Sequence, residues 1–131
     1  MTGIRIEHIA LWASDMELLK NFYIRYFGAE AGKKYINDRN GFSSYFLSFP
    51  DSGARLEIMN KSDISENSGH DGSIGFCHIA ISTGSKKNVD YLTERLRADG
   101  IEIVRAPRTT GDGYYESVIR DPEGNFIEIT V

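Results

Sequence analysis

A short motif occurs twice in this chain. Residues 6–11 read Ile-Glu-His-Ile-Ala-Leu and residues 76–81 read Phe-Cys-His-Ile-Ala-Ile, which puts His8 and His78 70 positions apart. A glutamate follows each histidine by 49 or 50 residues, at the centre of Arg55-Leu56-Glu57-Ile58-Met59 and of Phe126-Ile127-Glu128-Ile129-Thr130. A repeat of this kind restricts the chain to two copies of one supersecondary unit. At 131 residues the chain is expected to be a single domain (1–131), with modules 1–60 and 74–131 joined by a linker at 61–73.

The elements between the motifs repeat in the same order. Ile4 to Leu11 alternates as a first strand should. Ser14 reads as a helix N-cap, with Glu17 three residues on completing a capping box. The helix is expected from Asp15 to Tyr26, with Leu19, Phe22, Tyr23 and Tyr26 on one face and Gly28 at its end. Strands follow at Ala31–Ile36, Phe42–Phe49 and Arg55–Asn60. The polar stretch Lys61–Ser73 has no apolar periodicity, and its His70 reads as a solvated loop residue. The second module then gives a strand at Gly75–Ser82 and a helix at Ser85–Asp99 with Val89, Leu92 and Leu96 facing inward, stopped by Gly100. Strands at Glu102–Arg108, Tyr114–Arg120 and Asn125–Val131 complete it, the last two joined by the tight turn Asp121-Pro122-Glu123-Gly124. The expected fold class is α+β: two βαβββ modules forming a curved mixed sheet, with helices on the convex face.

Strand alternation sorts the motif residues by face. His8 shares a face with Ile6 and Ala10, and Glu57 with Arg55 and Met59; His78 and Glu128 repeat this beside Phe76, Ala80, Phe126 and Thr130. Leu56, Ile58, Ile79, Ile81, Ile127 and Ile129 lie on the other faces, which an amphipathic helix covers. Both histidines and both glutamates therefore belong to the concave face. An unpaired carboxylate turned inward is costly to desolvate, and two imidazoles nearby make a divalent cation the natural partner. His8, Glu57, His78 and Glu128 are thus the candidate metal ligands. Mixed nitrogen and oxygen donors suit Zn, Ni, Co, Mn or Fe(II) rather than thiolate-bound copper(I) or iron–sulfur chemistry. A metal so held polarises a carbonyl and stabilises an enediolate, while a glutamate moves a proton. Ile6, Met59, Phe76 and Phe126 would line the walls.

Composition narrows the partners. A net charge of -4 and unclustered aromatics give no reason to expect nucleic acid, and no apolar run is long enough to span a membrane. The single cysteine cannot staple the fold and agrees with a cytoplasmic setting. Cys77 alternates out of phase with His78 and is expected to be a small buried hydrophobe.

The quartet His8, Glu57, His78 and Glu128, the Phe22-Tyr23…Phe27-Gly28 helix end and the Asp121-Pro122-Glu123-Gly124 turn together resemble the vicinal oxygen chelate superfamily. This is the glyoxalase, bleomycin-resistance and dioxygenase group, and the likeness runs over essentially the whole chain. Within it the His/Glu/His/Glu set is most similar to glyoxalase I, the lactoylglutathione lyase. That resemblance implies a lyase or isomerase using Ni, Zn or Co, with Mn or Fe compatible, and acting on a small oxo substrate or a glutathione or other thiol adduct. It also implies Glu128 as the proton-shuttling base, Glu57 as its counterpart across the metal, and a homodimer in which modules pair within or between chains. Trp12 stands where bacterial glyoxalase I proteins carry a glutathione-holding arginine, and Lys61 where they carry an asparagine. An epimerase acting alpha to a thioester and a non-catalytic small-molecule binder are the alternatives.

Overall fold

The structure, a computed structural model, describes residues 2–65 and 74–131. The chain divides into two compact units, Met1–Asn67 and Ser68–Val131. Residues 66–73 of the expected linker, with His70, lie outside the described residues.

The first unit holds β1 (His8–Trp12), α1 (Met16–Phe27), β2 (Glu30–Ala31), β3 (Tyr35–Asn37), β4 (Phe42–Ser48) and β5 (Arg55–Asn60). Its sheet has the order β1-β5-β4-β2, with β3 also pairing with β4. β1 runs parallel to β5 and β5 antiparallel to β4, so the sheet is mixed. Met16, Leu19, Phe22 and Tyr23 are the buried residues of α1, at the spacing that gives a helix one apolar stripe. Tyr45, Leu47, Leu56 and Ile58 are the buried hydrophobic residues of its sheet. Ile58 is wholly inaccessible, which stabilises the unit by about 2–3 kcal/mol relative to an exposed isoleucine. Gly28 ends α1 in the left-handed region at φ 66°, and its N–H donates to the Ile24 carbonyl.

The second unit repeats the plan: β6 (His78–Ser82), α2 (Lys86–Ala98), β7 (Ile103–Thr109), β8 (Tyr115–Arg120) and β9 (Phe126–Thr130), in sheet order β6-β9-β8-β7. Ser85 caps α2 by accepting from the Asn88 N–H at 3.1 Å. Val89, Leu96, Ile119, Ile127 and Ile129 are fully buried. Thr93 on α2 donates its hydroxyl to the Val89 carbonyl at 2.6 Å and meets the Ser117 hydroxyl on β8 at 2.7 Å. At the β8–β9 turn the buried Asp121 accepts from the Glu123 and Asn125 N–H groups, each at 2.9 Å. Both units are βαβββ-like, and each builds its own mixed sheet.

Most expected boundaries shift by a residue at most, and the larger changes are these. α1 is capped by Asp15, whose Oδ1 accepts from the Leu18 N–H at 3.0 Å, and not by Ser14. Glu17 is drawn away from a capping box by Lys20 and Tyr45, which bind its carboxylate at 2.8 and 2.6 Å. The stretch expected as one strand at Ala31–Ile36 is two short ones, because Gly32 interrupts it; both pair with β4. β1 and β6 start at His8 and His78, four and three residues later than expected, since their partners start at Arg55 and Phe126. Ile6 and Phe76, expected on the walls, therefore precede the ladders and are 66 % and 98 % exposed. Cys77 corrects in the same way: it is exposed, because alternation in this strand begins only at His78.

Candidate metal centre

The parallel ladders place the two motifs identically. Across β1–β5, His8 pairs with Arg55 and Ala10 with Glu57; across β6–β9, His78 pairs with Phe126 and Ala80 with Glu128. A histidine and a glutamate two register steps apart on neighbouring parallel strands share a face and can lean toward one another. In the first unit His8 Nε2 lies 3.7 Å from Glu57 Oε1. In the second, His78 Nε2 lies 3.1 Å from Glu128 Oε2. Two ligands of one cation at about 2.1 Å stand about 3.0 Å apart in an octahedral site and about 3.4 Å apart in a tetrahedral one. The second pair stands at the spacing of two adjacent donors of a divalent metal, and the first is slightly wider than that spacing. Among the described residues, no group of three or more His, Cys, Asp or Glu side chains forms a metal cluster. The structure brings His8 to Glu57 and His78 to Glu128.

The surroundings of the pairs differ. Glu57 has only 14 % of its side chain exposed, and the Phe46 ring meets the His8 ring edge-on at 5.2 Å. Glu7 Oε2 lies 2.6 Å from His8 Nδ1, and Arg55 Nη2 donates to Glu7 Oε1. The His8 imidazole and the Arg55 guanidinium hold the Glu7 carboxyl below the usual carboxylate range. The Arg55 guanidinium lies 4.1 Å over Phe46. In the second unit a cavity of about 210 Å³ opens beside the pair, lined by His78, Glu128, Cys77, Arg105, Val104, Val118 and Phe126. Burial and the neighbouring Glu128 carboxylate push the Glu116 carboxyl up.

Sequence reasoning missed Glu7, Glu116 and Arg105. Glu116 was accessible to it: it shares strand parity with Val118, which stands opposite Glu128. Glu7 was not, because strict alternation turns a histidine's neighbour to the opposite face. Of the expected wall residues, Met59 and Phe126 are half-buried on the faces of Glu57 and Glu128.

Two βαβββ-like modules, each presenting a His/Glu pair at the same register, define a duplicated α+β class of protein. Residues 5–129 match the family described as Glyoxalase/Bleomycin resistance protein/Dioxygenase superfamily, and the chain belongs to it. A Bacillus subtilis (strain 168) relative, the uncharacterized protein YqjT, is 30% identical over 132 residues, covering 95% of this chain and 96% of its own. The fold is similar to that of glyoxalase I from Zea mays, with a TM-score of 0.78 and 22% identity over 96% of this chain; the chain spans 44% of that protein's length. It is also similar to lactoylglutathione lyase from Agrobacterium tumefaciens, with a TM-score of 0.69, 24% identity, and 99% and 95% of the two chains covered. Among the described residues no helix is long and apolar enough to cross a membrane.

Proposed function

We propose that this protein is a metal-dependent lyase or isomerase of glyoxalase type, with His8, Glu57, His78 and Glu128 as its metal ligands. The observation that carries this reading is the identical register of the two His/Glu pairs, with donor atoms 3.7 and 3.1 Å apart. Bound Ni, Zn or Co would act as a Lewis acid toward the substrate's oxygens. Glu128 removes the proton on the carbon next to the carbonyl, leaving an enediolate, and returns it to the neighbouring carbon to give the hydroxy product. Glu57 would hold the metal as the counterpart of Glu128 from the first unit. Val104, Val118 and Phe126 form the apolar part of the cavity wall. A cavity of about 210 Å³ favours a small oxo compound or the oxo end of a thiol adduct.

A homodimer belongs to the same reading. The histidine-bearing strands β1 and β6 are edge strands of their sheets, and the apolar Ile6 and Phe76 before them are largely exposed. Light scattering would report the assembly.

The test is metal analysis of protein purified without chelator or nickel affinity resin, followed by assay of methylglyoxal–thiol adducts with each metal restored. Near-stoichiometric metal and isomerisation are expected. Tight metal without isomerisation removes the glyoxalase assignment and leaves the metal site; absence of metal removes both.

A further inference from the structure

We infer that Glu7 is a positioning residue that fixes His8 in the Nδ1–H tautomer and so turns its Nε2 lone pair toward the cation shared with Glu57. The inference rests on the reading of His8 and Glu57 as metal ligands, and it concerns a residue outside that quartet.

The hydrogen-bond inventory decides the tautomer. An ionised carboxylate only accepts, so the 2.6 Å contact between Glu7 Oε2 and His8 Nδ1 places the proton on Nδ1. Nε2 of the neutral ring is then an unprotonated acceptor. It faces Glu57 Oε1 at 3.7 Å, beyond hydrogen-bond reach. Two acceptors facing across such a gap are what an intervening cation satisfies. A metal-ligating histidine whose other nitrogen donates to a carboxylate is held in orientation and made more basic by it.

Glu7 is itself held in place. Its carboxylate accepts from Arg55, whose guanidinium stacks over Phe46, whose ring in turn packs on His8. The backbone fixes the same neighbours, since the Arg55 N–H donates to the Glu7 carbonyl at 2.8 Å and Arg55 stands opposite His8 in the ladder. Because β1 begins at His8, Glu7 lies outside the strand's alternation and can fold back onto the imidazole.

The second module makes the comparison. Cys77 takes the place of Glu7, Phe126 that of Arg55 opposite the histidine, and Val118 that of Phe46 opposite the glutamate. The duplication kept the ligands and gave the clamp to one histidine alone. Of the two, His8 is the preset ligand.

The experiment uses the full chain, metal-free and labelled with nitrogen-15 histidine, at about pH 8. Proton–nitrogen correlation spectra are expected to show His8 as the Nδ1–H tautomer, and Glu7→Ala is expected to shift it toward Nε2–H. Zinc titration should then show Kd rising about 10- to 100-fold in Glu7→Ala. Glu7→Gln, whose amide oxygen still accepts from Nδ1, should lose less, and the exposed helix variant Glu94→Gln should match wild type. An Nε2–H tautomer in the wild type, or a Glu7→Ala protein with unchanged tautomer and zinc Kd within twofold of wild type, overturns the inference. Wild type that takes up no zinc overturns the metal reading instead, while the tautomer spectrum still decides the Glu7–His8 contact.

Discussion

The ammonium of Lys61 lies 4.8 Å over the indole ring of Trp12. Trp12 ends β1 on the His8 face, and Phe42 packs edge-on against it at 6.3 Å. On the resemblance to bacterial glyoxalase I proteins, these two residues stand where an arginine and an asparagine for glutathione are expected. The Lys61 ammonium is shared between that aromatic face and the Asp63 carboxylate, 3.9 Å away. On the proposed function, Trp12→Arg combined with Lys61→Asn is expected to raise kcat/KM for the glutathione–methylglyoxal adduct by about tenfold or more, one charge-assisted hydrogen bond's worth. The adduct of 2-mercaptoethanol should show no such gain. Equal changes for both adducts would place Trp12 outside the thiol site.

Glu128→Gln keeps the shape of the side chain and removes its basicity. On the proposed function, loss of this base is expected to lower kcat by about 10²- to 10⁴-fold in protein reconstituted with metal. Because Glu128 sits outside the buried layer formed by Ile127 and Ile129, the thermal midpoint should stay close to wild type. Steady-state kinetics and a melting curve on one preparation check both halves of the statement.

Acid should act through Glu17. Its carboxyl is lowered to about 2, chiefly by the hydrogen bond from Lys20 and then by that from Tyr45. A depressed folded-state value means that this carboxylate stabilises the fold above its unfolded value near 4.5 and loses that contribution as pH falls toward about 2. Half of the Glu17 side chain is exposed, so solvent screening reduces a nominal ~3 kcal/mol to about 1 kcal/mol. Glu17→Gln should therefore be less stable than wild type by about that amount at neutral pH, with the gap closing at about pH 2. Urea unfolding at several pH values measures it; a gap independent of pH would mean packing rather than charge.

The buried Thr93–Ser117 hydroxyl pair gives a test in the second unit. Thr93→Val leaves the Ser117 hydroxyl without its partner and is expected to cost about 1–3 kcal/mol. Adding Ser117→Ala removes the orphaned group and should recover most of that loss. A double-mutant cycle in urea resolves the coupling.

Much of this architecture is legible in the amino-acid order, because alternation and duplication are local signals. The βαβββ order, the sides taken by His8, Glu57, His78 and Glu128, and the Gly28 cap all follow from periodicities of two and 3.6. Strand starts are not local. β1 begins where Arg55 becomes available across the ladder, and nothing in Ile4-Arg5-Ile6 announces that. The same ignorance of register misplaced Cys77 and concealed Glu7, whose role depends on Arg55, 48 positions away, standing opposite His8. Asp15 and Ser14 are both competent caps, and the choice between them depends on where Glu17 finds Lys20 and Tyr45.

In each sheet the histidine rides on an outermost strand, while the glutamate sits one strand inward between two ladders. Durability and chemistry are thereby separated: the inner strand keeps its carboxylate in fixed company, and the rim strand, bonded on one side within its sheet, opens at lower cost. Deuterium uptake along His8–Trp12 and His78–Ser82 should therefore outpace that along Arg55–Asn60 and Phe126–Thr130.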